Sequence, residues 1–99
     1  MLYQVRKKPM VDFEAMLFVY DTDNLAKIKS WMGDNMGNYG KDRHLTALAW
    51  LEIKTLKVGT GNTIIASEGD YIIKGSVGEF WAVNSNLFNM TYDILTNIS

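Results

Sequence analysis

The chain contains no cysteine, one histidine and one proline among its 99 residues. Without thiols there is no disulfide framework, no zinc ribbon or finger and no cysteine nucleophile. His44 has no second imidazole with which to build a relay or a ligand set, so it reads as a surface or hydrogen-bonding residue. Charge of one sign is missing too: the formal net charge is −1, which argues against dedicated nucleic-acid binding. No apolar run approaches the roughly 18–20 residues of a membrane span. Arg6, Lys7 and Lys8 are followed by no long apolar stretch, so the expectation is a protein without a secretory leader, in the cytoplasm.

What remains is the composition of one globular domain, 47% apolar and 21% charged, spanning residues 1–99. Alternation at Tyr3 to Val5 and at Val11, Phe13, Ala15 and Leu17 reads as two strands, with Pro9 at a bend between them. Leu25, Ile28 and Met32 recur at helical spacing over 24–32, with Thr22 or Asp23 as cap and Gly33 as stop. Residues 34–43, dense in Gly, Asn and Asp, read as a loop and as the best candidate for a mobile, ligand-contacting segment.

Residues 45–56 look extended, 58–62 and 67–70 read as turns, and a short strand spans Thr63 to Ala66 between them. Tyr71 to Lys74 and Glu79 to Val83 form a hairpin around Gly75 and Gly78. Ser85 caps one helical turn through Phe88, and Tyr92 to Leu95 completes the sheet. The fold class is α+β: a small curled antiparallel sheet or partial barrel of five or more short strands with one main amphipathic helix.

No Walker-type loop or dinucleotide fingerprint occurs. Asp12 and Glu14 would stand about 7 Å apart on one strand face, a spacing that fits a solvated face better than a metal pair. The expectation is therefore no metal, no cofactor and no catalytic residue. Basic and aromatic residues are more informative. A cation beside an aromatic plane is what a nucleotide requires, because the base stacks while phosphates take charge-assisted hydrogen bonds. Arg6, Lys7 and Lys74 are the candidate phosphate ligands, and Tyr39 and Trp81 the candidate stacking groups. Trp50 and Trp81 have a plainer use as core or subunit-interface residues.

One string is distinctive. Ser67-Glu68-Gly69-Asp70-Tyr71-Ile72-Ile73-Lys74-Gly75, then Gly78-Glu79-Phe80-Trp81, then Phe88 and Thr91-Tyr92, resembles a family of small phage and prophage proteins. Arg6-Lys7-Lys8-Pro9, Glu14-Ala15 and the run from Leu51 to Leu56 resemble it as well. The family commonly has Pro-Cys-Lys-Pro-Asp-Ile-Phe where this chain has Ala82 to Phe88. The resemblance implies phage origin and brings no settled activity with it.

Three function classes follow. The first is a non-catalytic module that counters host defence by sequestering a nucleotide-type immune signal, in a pocket shared between subunits of a homo-oligomer. The second is a protein-binding inhibitor of a host defence complex, in the manner of an anti-CRISPR. The third, with least support, is a small hydrolase or nuclease.

Overall fold

A computed structural model describes residues 2–7, 11–41, 48–54 and 63–97; within these, the side chains of residues 6, 7, 11, 12, 93 and 95–97 are not described. The order of elements is β1 (Leu2–Lys7), β2 (Val11–Leu17), α1 (Thr22–Met32), a 3-10 turn (Gly33–Asn35), β3 (Met36–Lys41), β4 (Ala49–Lys54), β5 (Thr63–Ser67), β6 (Tyr71–Lys74), β7 (Phe80–Val83), α2 (Ser85–Thr91) and β8 (Tyr92–Asn97). The described strands form two antiparallel sheets, one ordered β7-β6-β2-β1-β8 and the other β3-β4-β5. β7 lies against β5 and β4 without pairing, so the two sheets curl toward each other but do not close into a barrel. The α+β architecture with one main helix is the one the pattern implies. No described helix is long and apolar enough to cross a membrane.

Alternation along each strand divides the side chains of the large sheet between two cores. On the inner face Met16, Ile72 and Phe80 meet Ile28 and Met32 of α1 and Leu51, Ile53 and Ala66 of the small sheet. On the outer face Val5, Ala15 and Ile73 pack with Phe88 of α2 and with Tyr92. The adjacent isoleucines of β6 thus feed different cores, which is why that strand reads as a continuous apolar run.

The turn at 67–70 ties the pieces together. Gly69 adopts φ 96°, a conformation that an L side chain would strain, and its N–H donates to the Phe18 carbonyl. The Glu68 N–H donates to the carbonyl of Ala49, and the Glu68 carboxylate accepts the Tyr20 N–H at 2.9 Å. Asp70 accepts the Ser67 N–H at 2.9 Å. A single four-residue turn thereby joins both sheets to the approach of α1.

Three expectations are corrected. Asp21, not Thr22 or Asp23, caps α1, its carboxylate accepting the Asn24 N–H at 2.7 Å. Asn84 rather than Ser85 caps α2, and that helix continues past Phe88 to Thr91. In both cases several polar residues compete for one capping position, and the extended backbone just before the helix selects the winner. The third correction concerns 34–43, which is not a loop through 41: after the 3-10 turn, β3 pairs with β4 from Met36 to Lys41. Its glycines lie beneath large neighbours. A Cβ on Gly37 would meet the Glu52 Cβ at 2.8 Å, and one on Gly40 would meet the Trp50 ring at 3.0 Å. Cross-strand packing thus uses glycines that local propensity assigns to turns. Lys8, Pro9, residues 42–47 with His44, and the turn at 58–62 lie outside the described residues.

Candidate binding cleft

The tight turn at Gly33–Asn35 sends β3 back beside α1 and leaves a cleft of about 490 Å³ between them. Two stripes on the helix account for it. Ile28 and Met32, with Asn24, are buried toward the core. The neighbouring stripe of Thr22, Leu25, Ala26 and Lys29, at spacings of three, one and three, lines the cleft opposite Met36, Gly37 and Tyr39. Leu25, Ala26 and Met36 make the lining apolar. Tyr39, 48% exposed, stands at one end with its ring edge-on to Tyr20 at 6.3 Å. Lys29 marks the other end, where its ammonium donates to the Gly33 carbonyl at 3.1 Å.

The helix is held in place by Asn24. Its side-chain carbonyl accepts the Val19 N–H at 2.7 Å, and its amide donates to the Leu17 carbonyl at 3.1 Å. One buried side chain therefore satisfies two backbone groups at the exit from β2, where the strand ladder has ended.

Of the five residues that the sequence nominates, the three whose side chains are described, Tyr39, Lys74 and Trp81, do not converge within one protomer. Among these three, Tyr39 alone reaches this cleft. Lys74 stands on the inner face of the large sheet, in register with Glu14 on one side and Phe80 on the other. Its ammonium sits 5.8 Å from the centre of the Phe80 ring. Glu14 beside it accepts a hydrogen bond from the Trp31 indole at 2.9 Å. A shallow depression of about 310 Å³, touched by Gln4, Phe13, Glu14, Lys74 and Gly75, lies at this strand end.

Trp81 pairs with Ile73, one residue from Lys74, and so projects to the opposite face. There it meets Phe13 edge-on at 5.6 Å. Arg6 occupies a β1 position flanked by Asp12 and Asp93, and Lys7 one flanked by Val11 and Tyr92; their side chains are outside the described residues. Lys29 is the cleft cation that sequence reasoning passed over. The signal was present as a second helical stripe, 22-25-26-29, adjacent to the core stripe.

The outer face carries a continuous group of rings. Tyr71 stacks on Phe88 at 3.8 Å, and Phe88 on Tyr92 at 5.2 Å. Burial pushes the Tyr71 phenol above its ordinary pKa, and Tyr3 adds to the effect. Burial also raises Tyr92, against the opposing hydrogen bond of the Trp81 indole. Among the described residues no three His, Cys, Asp or Glu side chains converge on a point that could hold a metal ion. No family model, no curated protein and no solved structure matches this chain.

Proposed function

We propose that the protein is a phage-encoded, non-catalytic binding module that acts in the host cytoplasm and counters host defence by sequestering a nucleotide-type signal. The observation that carries this reading is the α1–β3 cleft. Its volume falls in the range of small-molecule sites, and it combines an apolar lining with a few polar groups placed at its ends. The exposed ring of Tyr39 offers a base a stacking surface, and the Lys29 ammonium offers a phosphate a charge-assisted hydrogen bond. The phage resemblance of the 67–75 string supplies the biological setting. Lys74, which lines no part of the cleft in one protomer, and Arg6, on β1, would complete the site from a second subunit.

The test is a thermal-shift screen against linear and cyclic nucleotides and ADP-ribose derivatives. A ligand at about 100 times its dissociation constant stabilises by roughly 2.7 kcal/mol, a midpoint shift of roughly 10 °C or more for a domain of this size. Tyr39→Ala is expected to abolish that shift while changing the ligand-free stability by only about 0.5 kcal/mol, because the ring is half exposed. A flat screen on folded protein, or a shift that survives both Tyr39→Ala and Lys29→Ala, overturns the reading.

One observation favours the protein-binding alternative. β3 is the edge of its sheet and forms one wall of the cleft, an arrangement in which an extended peptide adds as a further strand beside a helix. A flat nucleotide screen together with recovery of a host defence protein that Tyr39→Ala releases selects this alternative.

A further inference from the structure

Each described strand edge differs in how it is guarded. β7 faces β5 across the opening between the sheets. β3 presents Asn38 and Lys41 to solvent and has α1 beside it. Among the described residues, β8 is the last strand of the five-stranded sheet, with no further element paired to it. From Ser85 to Asn97, α2 and β8 together contain a single charged residue, Asp93, and no proline. Native sheets ordinarily blunt an edge with charge, proline or cover, because its open N–H and C=O groups are a template for another strand.

The side chains above this edge are apolar and exposed. Phe88 turns inward and is fully buried, whereas Leu87 is 51% and Met90 80% exposed on the same short helix. Ile94, 49% exposed, lies two residues after buried Tyr92 and so on the same face of the sheet as α2. Leu87 and Met90 on α2 and Ile94 on β8 are thus exposed apolar groups on the outer face of the sheet.

We propose that this surface is a two-fold homodimer interface in which β8 of one protomer pairs antiparallel with β8 of a second copy, continuing the sheet across the axis. An antiparallel edge is complementary to itself under a two-fold rotation, each N–H meeting a C=O of the same strand in the other chain. The charge pattern points the same way. A partner of opposite charge has almost nothing to recognise here, while two copies meet with little like-charge repulsion. The rotation also brings Leu87, Met90 and Ile94 of both copies to the same side of the joined sheet, with Ile94 nearest the axis. The inference is independent of which ligand fills the α1–β3 cleft.

Sedimentation velocity on the intact chain over a micromolar concentration series tests it. The expected result is a species of twice the 11.2 kDa chain mass. Dimer is expected to be lost in Ile94→Lys and in Met90→Glu, but retained in Ile65→Lys, which places a charge at a site 54% exposed on the other sheet. Met90 is so exposed that its variant keeps the test decisive even if Ile94→Lys fails to fold. Amide hydrogen exchange should show protection of β8 that rises with protein concentration. A monomer throughout the series, a higher oligomer, dimer that survives both variants, or concentration-dependent protection at β3 instead of β8 overturns the proposal.

Discussion

The inner face of the five-stranded sheet is closed by α1 and the three-stranded sheet around side chains such as Met16, Phe18, Ile28, Leu51, Ile53 and Ile72, which are almost wholly removed from water. The outer face is covered by the seven residues of α2, and around Phe88 it leaves Tyr3, Phe13, Tyr71 and Trp81 half-buried. Aliphatic residues suit the first setting because they carry no polar atom into a sealed interior. Tyr and Trp suit the second because their bodies pack while their polar tips reach the rim. A closed layer of this kind holds a fold together, and a half-covered one leaves surface available for contact.

The contrast has measurable consequences. Phe18→Ala, which empties a fully buried position between the sheets and α1, is expected to cost about 3–5 kcal/mol and to lower the whole denaturation curve. Phe88→Ala removes an equally buried ring, yet α2 can settle toward the sheet, so its cost should fall near about 3 kcal/mol. Hydrogen exchange in Phe88→Ala should lose protection chiefly in α2 and β8. Equal costs and equally global loss of protection in the two variants would mean that the faces form one cooperative unit, ending the distinction.

A smaller effect is expected at the hinge between the inner core and the cleft. Asn24→Ala leaves the Val19 N–H and the Leu17 carbonyl without their partner and should cost about 1–3 kcal/mol in urea unfolding. Asn24→Asp retains the acceptor but sets a carboxylate oxygen against the Leu17 carbonyl, and should cost at least as much as Asn24→Ala. If Asn24→Ala is neutral, α1 is positioned by its apolar stripe alone.

The smallest effect is a pH dependence belonging to the outer face. Tyr71 and Tyr92 both have pKa values raised above 10.0 by burial. A raised folded-state value contributes stability that is fully present below the unfolded value and lost as the pH rises through the folded one. The urea midpoint should therefore decline above about pH 10, and the decline should be shallower in the Tyr71→Phe/Tyr92→Phe double variant. An identical slope in that variant would show that the outer face shelters neither phenol.

Much of this architecture was readable in the chain. Alternation located β1 and β2, the hairpin pattern around Gly75 and Gly78 located β6 and β7, apolar spacing located α1, and Gly33, at φ 60°, ends that helix as its position implied. These features depend on backbone geometry within a few residues, so a local pattern suffices. β3 escaped because Gly37 and Gly40 look like turn residues until Glu52 and Trp50, more than ten positions away, are laid across them. The caps escaped by one residue for a related reason: Asp21 and Asn84 win only once the preceding strand has set the backbone that enters each helix.

The site shows the same division. Residue types alone nominated Tyr39 as a stacking group, and composition alone excluded thiol chemistry. Residue types could not show that Lys74 and Trp81 point to opposite faces, because this depends on the register that pairs Lys74 with Phe80 and Ile73 with Trp81. Nor could they show that Thr22, Leu25 and Lys29 become a cleft wall, because a helical stripe acquires meaning only from the strand that folds back beside it. Periodicity along a chain is a property of neighbours. Which faces meet, and which edge stays open, is settled by pairings between residues far apart in sequence, and those form only when the whole core condenses.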